Sequence, residues 1–453
     1  MPNVDDDLAY LAQLPTDERI RALQRIIPRT KVQAVLVRTG HAKRRYKILP
    51  AWFVVWLIIG LGLFATDSFT QIYKHLQRFR RRSTPSRSAL GEARNGLGVA
   101  VLRYLARAVV RLLGTPETPG AFYHGLRLMA LDGFVVDVPD SADNARIFGK
   151  PKSGRAEGAY PQARILSLCE AGTHVLYRHL IKPIHVGEVT MAYYLLRWLE
   201  KGMLLLWDRN FLGYKTLQQV KQCQAQLLAR VKSNLVFEPV EVLPDGSYLA
   251  KMYPSSYDRK KDQNGILVRI IEYSLNDPGR PTKEKVHRLL TTLLDATAHP
   301  AKELIVLYHQ RWEHELTIDE LKTHQLARAE LRSKTPAGVI QEIEGLLLAH
   351  YVVRTLMFEA AQRAGVAPVQ LSFTATLKIL RCRLPEVSKN GTGLRRWWED
   401  LIAEIGEAIL EPRRNRINPR VIKRKMSKWH KKRPHHYNSP QPTMPFRESI
   451  HIE

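Results

Sequence analysis

From about residue 123 the chain carries short apolar runs with no polar alternation, separated by amphipathic stretches. LRLMAL (Leu126–Leu131), Arg127 apart, and MLLLW (Met203–Trp207) offer apolar side chains to both faces of a strand. Such strands must be covered on both sides, which few arrangements other than a sheet clad in helices allow. LRLMALDGFVVDVPD reads as a strand, a turn at Gly133 and a second strand; ARILSLCEAGTHVLYRHLIK reads as two strands joined at Glu170–Ala171–Gly172. VTMAYYLLRWLEK and GYKTLQQVKQC have apolar residues at helical spacing, and AQLLARVKSN is a further strand. The fold class expected is α/β, a mixed sheet covered by helices.

The flanks differ. Residues 1 to about 118 read as helical, beginning with Ile20, Leu23, Ile26 and Ile27 at helical spacing behind the capping residues Thr16 and Asp17. Ala51 to Ala65 is fifteen uncharged residues. A membrane span needs about 20, so a buried core helix is expected, with Gly60 and Gly62 permitting close packing. Short β-prone runs and the turn Pro244–Asp245–Gly246 mark a β-rich insertion at about 235–280. The expected division is a helical N-terminal domain over 1–118, an α/β core over 119–334 and a helical, basic region over 335–436. A disordered tail over 437–453 completes it.

Charge points to the partner. Seventy Lys and Arg against 43 Asp and Glu give a formal net charge of +27. That excess suits a polyanion, whose released counterions drive binding. Pro412–His436 concentrates it, with eleven Lys and Arg and no acid. Cys169, Cys223 and Cys382 stand apart without metal or disulfide spacing. The acidic start MPNVDDDLAY is unlike a basic secretory leader, so a cytoplasmic, nucleoid-associated protein is expected.

Two acids stand where strands are expected to end: Asp132 before Gly133, and Asp208 before Arg209. Ligands gather outside strand ends in α/β sheets. Asp137 and Asp140 are alternatives to Asp132. In ELIVLYHQRWEHELTIDELK, Tyr308, Arg311, Glu315 and Lys322 fall within about 60° of one another on an ideal helix. A phenol, a guanidinium, a carboxylate and an ammonium then share one face. Glu313 and Glu320 point about 160° and 140° away from Glu315. A plain Arg311–Glu315 ion pair on a solvated helix is the simpler reading of the same residues.

The spacing of Tyr308, Arg311, Glu315 and Lys322 resembles the signature of DDE transposases of the IS-four family of bacterial insertion sequences. LDGFVVDVPDSADN, LLLWDRNFLGY, RVKSN and NPRVIKRKMSKW are similar to further blocks of that family. Phe134 and Asn210 depart from it, standing where Thr and Gly are usual. The resemblance implies a ribonuclease H-like core, with Asp132 on its first strand, Asp208 after a later strand and Glu315 on a helix beyond the insertion. It implies that these three are catalytic and hold Mg²⁺ or Mn²⁺. Hard carboxylate oxygens suit those ions, and two about 3.5–4 Å apart can serve phosphodiester cleavage. Tyr308, Arg311, Lys322 and Arg209 are expected to hold DNA phosphates. The partners implied are double-stranded DNA, as inverted-repeat element ends and target, and a second protomer on that DNA. The activity implied is cut-and-paste transposition. A catalytically silent DNA-binding descendant, or a ribonuclease H-like nuclease, is the alternative.

Overall fold

The computed structural model describes residues 18–42, 49–77, 84–153, 156–232, 234–280, 284–309, 312–327, 330–387, 391–411 and 441–453. The caps expected at Thr16 and Asp17, Arg311 and the basic run Pro412–His436 lie outside them. The chain forms two compact units: Met1–Trp198 with Trp312–Leu410, and Leu199–Arg311 with Glu411–Glu453.

The first unit opens with helices α1 (Glu18–Leu23), α2 (Arg29–Arg38), α3 (Ala51–Leu63), α4 (Phe69–Leu76), α5 (Arg87–Leu97) and α6 (Ala100–Val109). Ile20, Leu23, Ile26 and Ile27 are all buried, as their spacing predicts. α3 is buried along its whole length. Among the described residues no helix is long and apolar enough to cross a membrane. α4 starts from a capping box in which Ser68 and Gln71 satisfy each other's backbone N–H groups.

Strands β1 (Phe122–Tyr123) and β2 (Leu126–Asp137) follow, then α7 (Ala142–Phe148), the hairpin β3 (Lys152–Ser153) and β4 (Ala156–Glu157), β5 (Gln162–Glu170), β6 (Val175–Pro183) and α8 (Glu188–Leu196). β2, β5 and β6 form an antiparallel meander in which Asp132 faces Ser167 and Ser167 faces His179. The turn expected at Gly133 is absent: β2 runs unbroken because β5 pairs with it from Met129 to Asp137. Gly133 serves close approach instead, since a Cβ there would stand 3.0 Å from the Ile165 carbonyl oxygen. The turn at Glu170–Ala171–Gly172 does form, and a Cβ on Gly172 would meet the Ala121 backbone at 2.5 Å.

The second unit comprises β7 (Met203–Trp207), α9 (Tyr214–Gln222), β8 (Gln226–Arg230), β9 (Glu241–Val242), β10 (Tyr248–Met252), α10 (Ser256–Lys260), β11 (Ile266–Leu275), β12 (His287–Thr291) and α11 (Ala301–His309). β7 pairs with β8 in parallel, and β12, β11, β10 and β9 continue outward from β8, each antiparallel to the one before. The β-rich stretch thus extends a sheet instead of forming a layer of its own. Gly246 takes φ +84°, the positive value its turn requires.

The chain then returns to the first unit with α12 (Trp312–Asp319), a π-helix (Glu320–Gln325), α13 (Pro336–Ala364), α14 (Phe373–Arg383) and α15 (Gly391–Glu407). α13 has 29 residues, roughly 43 Å at 1.5 Å per residue. Thr335 caps its start, and Gly365 in the left-handed region ends it. Its first half closes the meander, with Val339, Ile343 and Leu347 among Phe134, Ile165 and Ile181. Its second half, with α14 and α15, shares one core with α1 to α6. The boundaries expected near residues 118 and 334 therefore separate kinds of secondary structure, while a single helical core draws on both ends. α3 and α13 touch where neither can carry a side chain. A Cβ on Gly62 would lie 2.7 Å from the Gly345 carbonyl oxygen, and one on Gly345 2.3 Å from that of Ile58. The expected disordered tail is corrected at its end: β13 (Ile450–Ile452) pairs antiparallel with β11 in the second unit.

Candidate active site

Asp132 and Glu315 belong to the first unit. Asp132 lies in the middle of β2, not at a strand end, and its Oδ1 accepts the Gly133 N–H at 2.8 Å. Period two puts it on the face of β2 that carries Phe134 and Val136, the face turned to α13. α12, which bears Glu315, packs on β2. Both carboxylates are half-buried. Two residues beyond Glu315, the buried Thr317 places its hydroxyl 3.9 Å from the Cys169 sulfur on β5. Burial pushes that thiol up, and the Thr317 hydrogen bond only partly offsets it, so Cys169 is a core group. Phe134, the departure from the family pattern, is itself a core residue.

Behind Glu315 the helix widens into the π-helix, where Glu320 turns inward. Its carboxylate is bound by the Arg354 guanidinium, with Nε at 2.9 Å from Oε2. His174 Nδ1 lies 2.9 Å from Oε1, and His350 Nε2 3.0 Å from Oε2. Burial alone would raise this carboxyl; the charge of Arg354, then that of His174, and the histidine hydrogen bonds hold it well below the usual range. Burial pushes His350 down, against the pull of Glu320. His174 reaches the cluster from the β5–β6 turn with φ +58°, a left-handed conformation uncommon outside glycine. Sequence reasoning assigned no task to His174, His350 or Arg354. One signal is present: His350 and Arg354 are strongly polar, four apart, inside a run of α13 that is mostly apolar.

Asp208, Arg209 and Tyr308 belong to the second unit. β7 is wholly buried, and Asp208 is the first residue beyond it, half-exposed. Tyr308, buried on α11, donates its hydroxyl to the Trp207 carbonyl at 3.1 Å. That hydroxyl, expected to meet a phosphate, ties α11 to the residue preceding Asp208. Asp245 extends the same support. Its carboxylate accepts the Ala301 N–H at 2.8 Å, capping α11, and pairs with the buried Arg269. Arg209 is exposed and bonds Glu284 at 2.8 Å; Arg230 bonds the other oxygen of Glu284 at 2.6 Å. Burial works upward on Glu284, but Arg230 and then Arg209 leave it below its ordinary value.

The expected single helix face needs correcting. Residues Glu320–Gln325 wind as a π-helix, with i to i+5 bonding, so the 100° step does not carry from Glu315 to Lys322. Lys322 is exposed on that wider turn. Among the described residues no three His, Cys, Asp or Glu side chains are grouped as a metal site. Carboxylate oxygens such as those of Asp132, Asp208 and Glu315 are hard donors, of the kind that divalent cations such as Mg²⁺ or Mn²⁺ prefer.

The family described as Insertion element 4 transposase N-terminal matches residues 17–107, and the Transposase DDE domain matches residues 123–352. The Escherichia coli K12 transposase InsG for insertion sequence element IS4 is 29% identical over 409 residues, covering 88% of this chain and 90% of that protein. InsZ of the same strain is 25% identical over 58% of this chain and 87% of its own. A solved piggyBac transposase synaptic complex with hairpin DNA shares 12% identity and a TM-score of 0.42 over 87% of this chain and 86% of its own, too distant to carry weight. With the DDE domain spanning about half of its length, the chain belongs to the DDE transposases of the insertion element 4 type.

Proposed function

We propose that this transposase excises and reinserts its own insertion sequence through a ribonuclease H-like core, with Asp132, Asp208 and Glu315 as the ligands of two Mg²⁺ or Mn²⁺ ions. The order of its parts supports this reading: an antiparallel β2–β5–β6 meander, then parallel β7 and β8, then the acidic helix α12 beyond the β-rich stretch. When bound, the ions would activate a water or 3′-hydroxyl and stabilise the leaving oxygen. The chain's own residues prepare the carboxylates. Gly133 orients Asp132 through its N–H. Tyr308 fixes the carbonyl just before Asp208, which makes it a positioning residue. Glu320 holds the turn that follows Glu315. Lys322 and Arg311 bind backbone phosphates, Lys as a point charge and Arg bidentately. Arg209 reaches a phosphate by exchanging its Glu284 partner. The substrate is double-stranded DNA with inverted-repeat ends, held by a dimer in the nucleoid-containing cytoplasm.

The observation that carries the proposal is the packing of α12, with Glu315, on the strand that holds Asp132. Purified protein, Mg²⁺ and duplexes bearing the element ends test it. Nicks at the element boundary and end-joined products are expected. Asp132→Ala, Asp208→Ala and Glu315→Ala should each abolish cleavage while end binding persists. Tight end binding without any nicking by the unaltered protein would overturn the reading.

A further inference from the structure

At the free side of β6, the end strand of the first unit's meander, α6 and the end of α8 border a groove of about 340 Å³. Its walls carry five cations. Arg103, Arg107, Lys182 and Arg197 are exposed, and Arg178 is half-buried. Glu344 is the acid of the lining; its side chain is 2% exposed and is engaged by His179 at 3.0 Å and Arg103 at 3.6 Å. Aromatic rings interleave with the cations. The Arg178 guanidinium lies 3.8 Å from the Tyr177 ring and 4.6 Å from that of Trp198. Tyr194, 52% exposed, sits 5.3 Å from the Arg197 guanidinium.

Like charges lining one concavity repel in the free protein, and a cleft of one sign concentrates counter-ions. The arrangement is relieved by a flexible polyanion that offers phosphates to the rim and a flat face to an exposed ring. We infer that this groove binds the sugar–phosphate backbone of DNA, with Arg107, Lys182 and Arg197 on phosphates and Tyr194 against a sugar or base. The inference rests on the protein being a DNA-acting transposase. Its register suggests a use. His179 stands opposite Ser167, and Ser167 opposite Asp132, so the groove begins two strands from Asp132. At about 4.8 Å per strand that is roughly 10 Å across the sheet from His179 to Asp132.

The test is DNA binding by the full chain carrying Arg107→Gln, Lys182→Gln and Arg197→Gln, measured across salt concentrations. Two duplexes of equal length are used, one bearing an element end and one not. Each lost phosphate contact should flatten the slope of log K against log salt by about 0.9. Loss on both duplexes assigns the groove to backbone of any sequence, such as target DNA; loss on the element end alone assigns it to that end. Replacing Arg107 and Arg197 by Lys should retain most of the slope. An unchanged slope on both duplexes overturns the inference. So does an equal loss on neutralising Lys378, Arg395 and Arg396, exposed cations of α14 and α15. A protein that binds but never cleaves would refute the proposed chemistry and leave this measurement readable.

Discussion

In the first unit the carboxylate that anchors the acidic helix sits on that helix's own continuation. Glu320 follows α12 directly and is gripped by Arg354, His174 and His350, all more than 25 positions away. In the second unit the carboxylate that anchors α11 arrives from a hairpin turn 56 residues earlier: Asp245 caps Ala301 and pairs with Arg269, a residue 0% exposed. Both units thus hold a signature-bearing helix by a buried arginine and one acid. They differ in what else joins. Two imidazoles share Glu320, whereas Asp245 is assisted by backbone N–H groups and the Ser247 hydroxyl. The helix that bears Glu315 is thus tied at several points beyond its end, and the one that bears Tyr308 at its first turn.

Cutting the two anchors gives the largest expected effect. Glu320→Ala leaves the Arg354 guanidinium buried with no carboxylate, and removing one partner of a buried pair costs about 3–5 kcal/mol. The upper end of that range is expected, because both histidines lose a partner as well. Asp245→Ala should fall near the lower end, since its side chain is 20% exposed and solvent can reach the site. Urea unfolding of the two variants measures the difference. A Glu320→Ala loss under 1 kcal/mol would mean that the cluster contributes no net stability and that α12 is fixed by other packing.

These anchors also mark the limit of what the sequence discloses. The place of Asp208 just beyond a strand is legible because MLLLW reads as a buried strand, and a charged residue at its end must turn out. The buried α3 is legible from its length and its glycines. The strand end expected at Asp132 rests on a faulty reason: Gly133 suggests a turn, although the nine-residue pairing with β5 makes the strand continuous. A glycine permits a turn but also permits close approach, and only the partner strand decides between them. The helix face that singled out Glu315 assumed a constant 100° step, which the π-helix breaks before Lys322. Local spacing cannot reveal that change, because it is set by Glu320 reaching a histidine 146 positions upstream. The order of the last residues in β13 is hidden likewise: three residues gain a strand only from their pairing with β11.

The second expected effect separates the anchors by acidity. His350 is held below its ordinary 6.5, so the unfolded chain takes up that proton first as pH falls. Its contribution is complete above 6.5 and is lost as pH falls towards the folded value. Glu320, held well below 4.5, contributes fully above 4.5 and loses its share only in stronger acid. Asp245 lies below 3.8 and behaves as Glu320 does. Protection of the α12 and π-helix amides, corrected for intrinsic exchange, should therefore fall between pH 7 and 5.5, while the Ala301 cap persists. His309 on α11, pushed down by burial and then by Arg280, adds a response of its own at that helix's other end. Unchanged α12 protection over this range would show that His350 does not titrate with unfolding.

The smallest effect concerns the surface pair next to Asp208. Arg209 and Glu284 keep 45% and 32% side-chain exposure, and such pairs are worth about 0–1 kcal/mol. Arg209→Ala should barely move the unfolding midpoint, in contrast to either anchor. Its expected consequence, if the proposed phosphate contact holds, is on DNA binding. Glu284 neutralises Arg209 and Arg230 together, so Glu284→Gln removes the competitor that a phosphate must displace. Affinity for duplex DNA should rise, and the salt slope should steepen because more cationic charge is available to the backbone. Arg209→Ala should lower affinity instead. If Arg209→Ala cost as much stability as Asp245→Ala and left DNA affinity unchanged, Arg209 would be part of the framework and its exchange from acid to phosphate would be wrong.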